Sequence, residues 1–496
     1  MTDGADLAAR LEALAQARVL IVGDVMLDRF VYGAVDRVSP EGPVPVLRVE
    51  REAVMLGGAG NVLRNLSALG VAGALVAVIG EDAAGARLAE LAGDLPGAED
   101  GLIQAPNRPT TIKERYIAAG QQLLRADRET RGALAPDVAG QVLEAVCARL
   151  LDGEKPVGAL VLSDYGKGVL DDVTIRALIA AAGEAGCPVV VDPKGRDYGL
   201  YRGASLVTPN RRELAEATGL PTGEDDEVVA AARALIEDAG VAAVLATRSE
   251  RGMTLVATRA DRSTVDTWHI PASGREVYDV SGAGDTVAAV LAAGLAAGIG
   301  LEDSARLANA AAGIVVGKLG TAVVGRDELR RSLLASDLMA AEAKVVDFET
   351  VVAQAARWRE AGLVVGFTNG CFDLLHPGHI SLFEQARGAC DYLIVGLNSD
   401  ASVQRLKGAG RPVQAEAARA AVLASLASVD LVVVFSEETP IKLIEALKPD
   451  VLIKGADYRE DQVVGADIVK AHGGRVLLAE LTPGHSTSET IRKLSG

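Results

Sequence analysis

The stretch 279-DVSGAGDTVAAVLAAGLAAG-298 joins a glycine turn to a long apolar run. Gly282, Ala283 and Gly284 are small enough for a tight turn, and the run after them predicts a helix from about Asp285. Consecutive N–H groups converge in such a turn, and a helix N-terminus adds partial positive charge, so the turn is a candidate anion site. Asp285 admits two readings. One is a capping residue after a glycine loop. The other is a base, because a carboxylate beside an anion hole repels phosphate but can take a proton from an attacking hydroxyl.

Outward from this stretch, apolar β-rich runs alternate with helix-period runs. Strands are expected at 18-RVLIVGD, 74-ALVAVIGE, 157-VGALVLSDYG, 187-CPVVVDP, 205-SLVTPN and 241-VAAVLATRS. Helices are expected between them, as at 211-RRELAEATG. Such alternation predicts parallel α/β sheets. The segment 25–58 breaks it, being strand-rich with prolines, and is read as a small β flap after the first strand. The alternation restarts at 363-LVVGFTNG and continues through 391-DYLIVGLNSD, 429-VDLVVVFSEE, 449-PDVLIKGAD and 475-RVLLAEL. Five short strands there suit a doubly wound domain. The expected organisation is a large three-layer α/β domain at 1–325, a helical linker at 326–346 and a small Rossmann-like domain at 347–496.

Composition narrows the partners. Lys plus Arg number 50 and Asp plus Glu 67, a net charge of −17. That surface repels phosphate backbones, so nucleic acid is not an expected partner, although a local basic pocket could still hold a small phosphorylated ligand. The four cysteines are widely spaced without Cys-x-x-Cys, which fits a reducing compartment and no structural zinc. The N-terminus lacks a signal-peptide pattern, and no apolar run is long enough to span a bilayer. A cytoplasmic location and no membrane partner are expected.

Further motifs accompany the glycine turn. 57-GGAGNVLRNLSALG is a second turn opening a helix, with Asn61 able to bond a sugar hydroxyl. 23-GDVMLDRF places Asp24 and Asp28 where ligands bind in open α/β sheets. 208-TPNRRE places Asn210 and Glu213 one helical turn apart. Each alone is equally a cap or a turn. In this order they resemble the ribokinase-like family of sugar kinases over about residues 15–325. The resemblance implies that Asp285 is the base, that the N–H groups of Ser281, Gly282, Ala283 and Gly284 hold the γ-phosphate, and that Asn210 and Glu213 order Mg²⁺. Arg211, Arg212, Thr247 and Asn309 join the ATP site. Asp28, Gly57, Gly58 and Asn61 hold the sugar, and a monovalent cation near Asp279 is a further expectation. Arg248-Ser249 departs from the family's Leu-Gly, which puts the nucleotide contact there in doubt. There is no Gly-x-x-x-x-Gly-Lys-Ser/Thr, so a P-loop kinase is excluded.

The second domain carries 368-TNGCFDLLHPGH-379, with two of the chain's five histidines. His376 and His379 fall on one face of a first helical turn. Metal ligation, core or capping histidines, and paired donors to a phosphate are the three readings. The motif resembles the His-x-Gly-His nucleotidyltransferase superfamily over about residues 345–494. That resemblance assigns His376 and His379 to catalysis. It assigns Asn369, Gly370, Phe372, Asp373, Lys407, Arg411, Lys454, Ser486, Thr487 and Ser488 to the nucleotide.

A ribokinase-like domain followed by a cytidylyltransferase-like one resembles the family of bifunctional heptose kinase/adenylyltransferases. The resemblance implies ATP-dependent phosphorylation of heptose 7-phosphate at O1, then adenylyl transfer to heptose 1-phosphate, with a separate phosphatase acting between the two steps. The implied partners are ATP and phosphorylated heptose, with Mg²⁺ as cofactor and a homodimer as the assembly. At least one of Lys167, Lys194 and Arg196 is expected to meet the 7-phosphate. Two alternatives stay open: another sugar kinase/cytidylyltransferase pairing, and a non-catalytic nucleotide-binding regulator.

Overall fold

Strand Arg18–Gly23 shows why the first sheet forms as it does. Val19 and Ile21 enter one apolar core, Leu20 and Val22 another, and all four are fully buried. A strand buried on both faces reads as a continuous apolar run and needs helices on each side. The computed structural model describes residues 4–259, 264–272, 279–318, 320–408, 410–456 and 458–480. It divides into two compact units, Met1–Leu334 and Ala335–Gly496.

The strands of the first unit are β1 (Arg18–Gly23), β2 (Val25–Val38), β3 (Pro45–Gly58), β4 (Ala72–Gly80), β5 (Ala98–Ala105), β6 (Ile112–Ala118), β7 (Gln121–Arg128), β8 (Ala159–Ser163), β9 (Val189–Asp192), β10 (Leu206–Val207), β11 (Ala243–Thr247), β12 (Met253–Thr258) and β13 (Val265–Ile270). Nine of them form one sheet in the order β13-β12-β11-β10-β9-β8-β1-β4-β5. The pairs from β11 to β5 are parallel, and β12 and β13 add an antiparallel edge. Helices Ala59–Leu69, Ala283–Ala296 and Leu301–Val315 supply one core, and Pro136–Leu150, Asp172–Glu184 and Asp225–Ala239 the other.

The flap is larger than the sequence implies. The β2–β3 hairpin is joined by β6 and β7, giving the order β3-β2-β6-β7. Every residue of β7 is exposed, so it carries no apolar alternation by which a strand could be recognised.

The second unit holds β14 (Val345–Val346), β15 (Val365–Gly370), β16 (Tyr392–Asn398), β17 (Leu431–Phe435), β18 (Val451–Gly455) and β19 (Arg475–Ala479). They pair in parallel in the order β14-β17-β16-β15-β18-β19. The connections reverse direction between β15 and β18, which is where such sheets bind ligands, beyond the strand C-termini. Within the stretch read as a helical linker, Arg326–Ala343 is a helix, and Val345–Val346 pairs with β17. Among the described residues no helix is long and apolar enough to cross a membrane.

Candidate active sites

The helix after the glycine turn begins at Ala283, with Gly282 as its cap at φ 81°. Asp285 therefore lies inside the first turn and is not the cap. Its carboxylate is buried and takes bonds from two distant segments: Asn61 Nδ2 at 2.8 Å and Tyr165 OH at 2.8 Å. Burial pushes its pKa up to about 6, against the pull of those two donors. Asn61 is itself held by Arg64, whose Nη1 donates to Asn61 Oδ1 at 2.9 Å and to Thr321 O at 3.0 Å. A Cβ on Gly282 would meet Asn61 Nδ2 at 2.7 Å, so the turn requires glycine for closeness as well as for φ.

The anion site is narrower than expected. Ser281 N–H donates to Asp279 Oδ1 at 2.8 Å, and Ala283 N–H to Val280 O at 3.3 Å. Among the described residues the N–H groups of Gly282 and Gly284 have no such partner. Asp279 also accepts from Gly320 N at 3.1 Å, so it ties two loops together.

Asn210 and Glu213 form a reciprocal capping box. Glu213 N donates to Asn210 Oδ1 at 2.9 Å, and Asn210 N to Glu213 Oε2 at 2.9 Å. The capping alternative thus describes this pair. Both residues line a cavity of about 760 Å³ with Arg211, Arg212, Thr247, Ala283, Gly284 and Asn309. Lys194 lines the same cavity, and Asp28 and Asn61 are not among its lining residues. Arg248 turns inward, donating to Thr254 Oγ1 at 2.8 Å and pairing with Asp225.

At the flap end, Asp28 is buried and ion-paired with Arg115 at 2.7 Å. Gly57 packs so closely that a Cβ there would meet Asp28 Oδ2 at 2.3 Å, and Gly58 has φ 59°. Asp24, by contrast, accepts the N–H groups of Tyr165, Lys167 and Val169 at 3.0, 2.9 and 3.2 Å. It holds the loop that carries Tyr165. Lys167 is ion-paired with Glu129, and Arg196 is exposed. Tyr165 was not foreseen, because a tyrosine in 163-SDYGKG has no distinguishing spacing.

In the second unit, His376 caps helix Pro377–Arg387 and His379 sits in its first turn. The two rings stack at 3.8 Å between centroids. The edge of Phe372 packs on His379 at 5.3 Å. Burial, then the neighbouring His376, pushes the His379 pKa down to about 4. Among the described residues His379 Nδ1 is buried without a hydrogen-bond partner. Leu375, His376, Pro377, Ile380, Ser381 and Glu384 border a hollow of about 470 Å³. Among the described residues no cluster of His, Cys, Asp and Glu could hold a metal ion.

Lys454, ending β18, donates to Asn369 O at 2.9 Å and Oδ1 at 2.7 Å, bridging the point where the strand order reverses. Gly370 packs against the Phe372 ring, and Phe372 has φ 43°. Arg411 is not a free loop cation: it pairs with Asp373, which also accepts Val413 N at 2.7 Å and Gln414 N at 3.2 Å. Burial raises the Asp373 carboxyl, but Arg411 and those donors leave it below its ordinary value. Lys407 is exposed. Ser486, Thr487 and Ser488 lie outside the described residues.

Arg419 was missed. It is fully buried, donating to Cys371 O at 2.6 Å, Asn398 O at 2.8 Å and Gln414 O at 3.0 Å, and pairing with Asp400 at 2.7 Å. It joins the C-terminal ends of β15 and β16. Arg419→Met takes the donor from three carbonyls and leaves Asp400 without its ion pair, and is expected to lower the stability of this unit by about 3 kcal/mol in chemical denaturation.

Residues 16–327 match the model of the pfkB family carbohydrate kinases, and residues 367–493 the cytidylyltransferase-like model. The bifunctional protein HldE of Paramagnetospirillum magneticum is 57% identical over 496 residues, covering 100% of both chains. That of Rhodospirillum rubrum is 58% identical, covering 99% of this chain and 97% of the relative. Among solved structures, Escherichia coli phosphofructokinase-2 in complex with potassium aligns with a TM-score of 0.54 at 22% identity, covering 64% of this chain and 99% of that one. Arabidopsis thaliana ribokinase complexed with ribose and ATP aligns at 0.50 and 23%, covering 64% and 98%. These two show the fold of the first unit. The chain belongs to the bifunctional HldE family, and is a carbohydrate kinase joined to a nucleotidyltransferase.

Proposed function

We propose that the chain makes an activated heptose by two phosphate chemistries, with the kinase at 1–325, a helical segment at 326–346 and the transferase at 347–496. The observation that carries the reading is Asp285, a buried carboxylate in the first helical turn beside two open N–H groups, aimed by Asn61 and Tyr165. In the first reaction the anomeric hydroxyl of heptose 7-phosphate attacks the γ-phosphorus of ATP. Its proton passes to Asp285, and ADP leaves. Gly282 and Gly284 donate to the transferred group. Asp28 and Asn61 orient the sugar. Asn210, Thr247 and Asn309 line the nucleotide's cavity.

The carboxylates of Glu213 and Asp192 open on that cavity, and hard oxygen donors of this kind suit Mg²⁺ that arrives with its nucleotide. Bound there, Mg²⁺ would supply positive charge to neutralise the phosphates. Asp279, between two loops, is where a monovalent cation would sit.

In the second reaction an oxygen of heptose 1-phosphate attacks the α-phosphorus of ATP, and pyrophosphate leaves. His376 and His379 stabilise the charge that develops there, at a helix N-terminus. Asn369, Lys407 and Lys454 surround the nucleotide. We place the chain in the cytoplasm as a homodimer. The exposed Val35, Val38, Val44 and Val49 of the flap favour self-association there.

Phosphorus NMR of the chain with ATP, Mg²⁺ and heptose 7-phosphate should show a new anomeric phosphate. With a sugar-bisphosphate phosphatase added, pyrophosphate and ADP-heptose should follow. A second step that runs only with CTP would reassign the transferase's nucleotide.

A further inference from the structure

A carboxylate base works only while it faces the incoming hydroxyl, and it turns easily about its Cβ–Cγ bond unless both oxygens are held. In Asp285 both are held. Asn61 Nδ2 donates to Oδ2 and the Tyr165 hydroxyl to Oδ1, each at 2.8 Å. Each oxygen keeps a second lone pair for the hydroxyl that reacts. The two donors come from separate segments, so their spacing must itself be fixed.

Asp24, just after β1, ties those segments together. Its main-chain oxygen accepts the N–H of Ala59 at 3.0 Å, and Ala59 opens the helix that carries Asn61. Its carboxylate accepts the N–H groups of Tyr165 and Lys167 on Oδ2, at 3.0 and 2.9 Å, and that of Val169 on Oδ1, at 3.2 Å. Its own N–H donates to Ser163 O at 3.2 Å, where that loop leaves β8. A Cβ on Gly58 would meet Asp24 O at 2.4 Å and Tyr165 Cδ2 at 3.5 Å, so glycine lets the helix start close against both. The position reads in the sequence as a ligand site, but the buried carboxylate is occupied by backbone donors. Aspartate suits it because three donors approach two oxygens, whereas asparagine offers one acceptor. The Tyr165 hydroxyl stays a donor: burial first, then the Asp285 charge, push its pKa well above the ordinary value.

We propose that Asp24 and Tyr165 are positioning residues for the base. Asp24 fixes the Tyr165 loop against the Asn61 helix, and Tyr165 holds the Asp285 carboxylate in its reactive orientation. Both act through Asp285. The proposal rests on the kinase reading of Asp285 above.

The test is steady-state sugar-kinase kinetics of the full chain for wild type, Tyr165→Phe, Asp24→Asn, and Asp285→Asn with and without Tyr165→Phe. Tyr165→Phe keeps the ring and removes one oxygen. It should lower kcat by roughly 10- to 100-fold, the range for a hydrogen bond to a charged group. KM for ATP and for the sugar phosphate should stay within about threefold, because orientation and not binding is lost. With Asp285→Asn there is no base to orient, so adding Tyr165→Phe should lower the residual rate by less than about threefold. Asp24→Asn should lower kcat in the same way, with both KM values kept.

An unchanged kcat for Tyr165→Phe overturns the proposal. So does a raised KM, which would make Tyr165 a substrate contact. So does a full further loss beside Asp285→Asn, which would make its effect independent of the base. An Asp24→Asn chain that keeps kcat overturns the part given to Asp24. One whose first unit no longer unfolds cooperatively does the same, because the residue then holds the fold. Wild-type chain without sugar-kinase activity, or Asp285→Asn at the wild-type rate, would instead sink the reading of the base itself.

Discussion

Asp285→Asn is expected to lower the sugar-kinase rate by about 10³-fold, within the usual range for removing a general base, while adenylyl transfer by the same chain continues. A coupled assay for ADP and a separate assay for pyrophosphate, run on one preparation, distinguish the two. A chain that only binds nucleotide would lose neither affinity nor rate, so an unaltered kinase signal would sink the base assignment. The wild-type pH profile carries a second signature. Burial first, opposed by Asn61 and Tyr165, sets the Asp285 pKa at about 6, so kcat/KM should rise with pH and level off above that value. The sign for stability is opposite. The folded chain holds this proton more tightly than the unfolded one. The group's contribution is therefore present at low pH and lost as pH rises through about 6. Near pH 7.5 the buried charge costs on the order of 3 kcal/mol. The asparagine variant should accordingly unfold at the same or a higher temperature while being inactive. A variant that is inactive because it is unfolded would show the reverse.

The second large effect falls on the other unit. His379→Ala should lower adenylyl transfer by about 10²- to 10³-fold and leave the sugar kinase unchanged. His379 is pushed down to about 4 by burial and then by His376, so it acts as a neutral donor through the physiological range. Its titration should leave the adenylyl-transfer rate flat above about pH 5. A depressed histidine stabilises the fold fully above its ordinary value of 6.5. That contribution is lost as pH falls toward 4, because the unfolded chain takes the proton first. Unfolding of the second unit between those values should therefore become easier with acid. A rate that follows a histidine titration near pH 7 would show that the charged ring is the active form.

Asp285 and Asn210 show what local sequence can and cannot distinguish. From spacing alone both read first as caps and second as site residues. Asn210 does cap, because its partner Glu213 lies three residues away and the bond is closed within one helical turn, and it lines the large cavity as well. Asp285 did not, because its partners are 224 and 120 residues distant. Arg411 is similar: a basic loop residue by composition, it is held by Asp373, 38 residues earlier.

What the residues alone settled was the kind of structure, while the kind of chemistry came from the resemblance of their motifs to known families. Period and composition identify strands buried on both faces, and glycine turns before helices mark anion sites. These are local properties of the backbone, written in short windows. The additions came from the folded chain: a flap completed by a fully exposed strand, Tyr165 on Asp285, and Arg419 across the ends of β15 and β16. Each depends on cross-strand register or on side chains meeting across long loops. No periodicity records such meetings, because the free energy that places them comes from packing the whole domain.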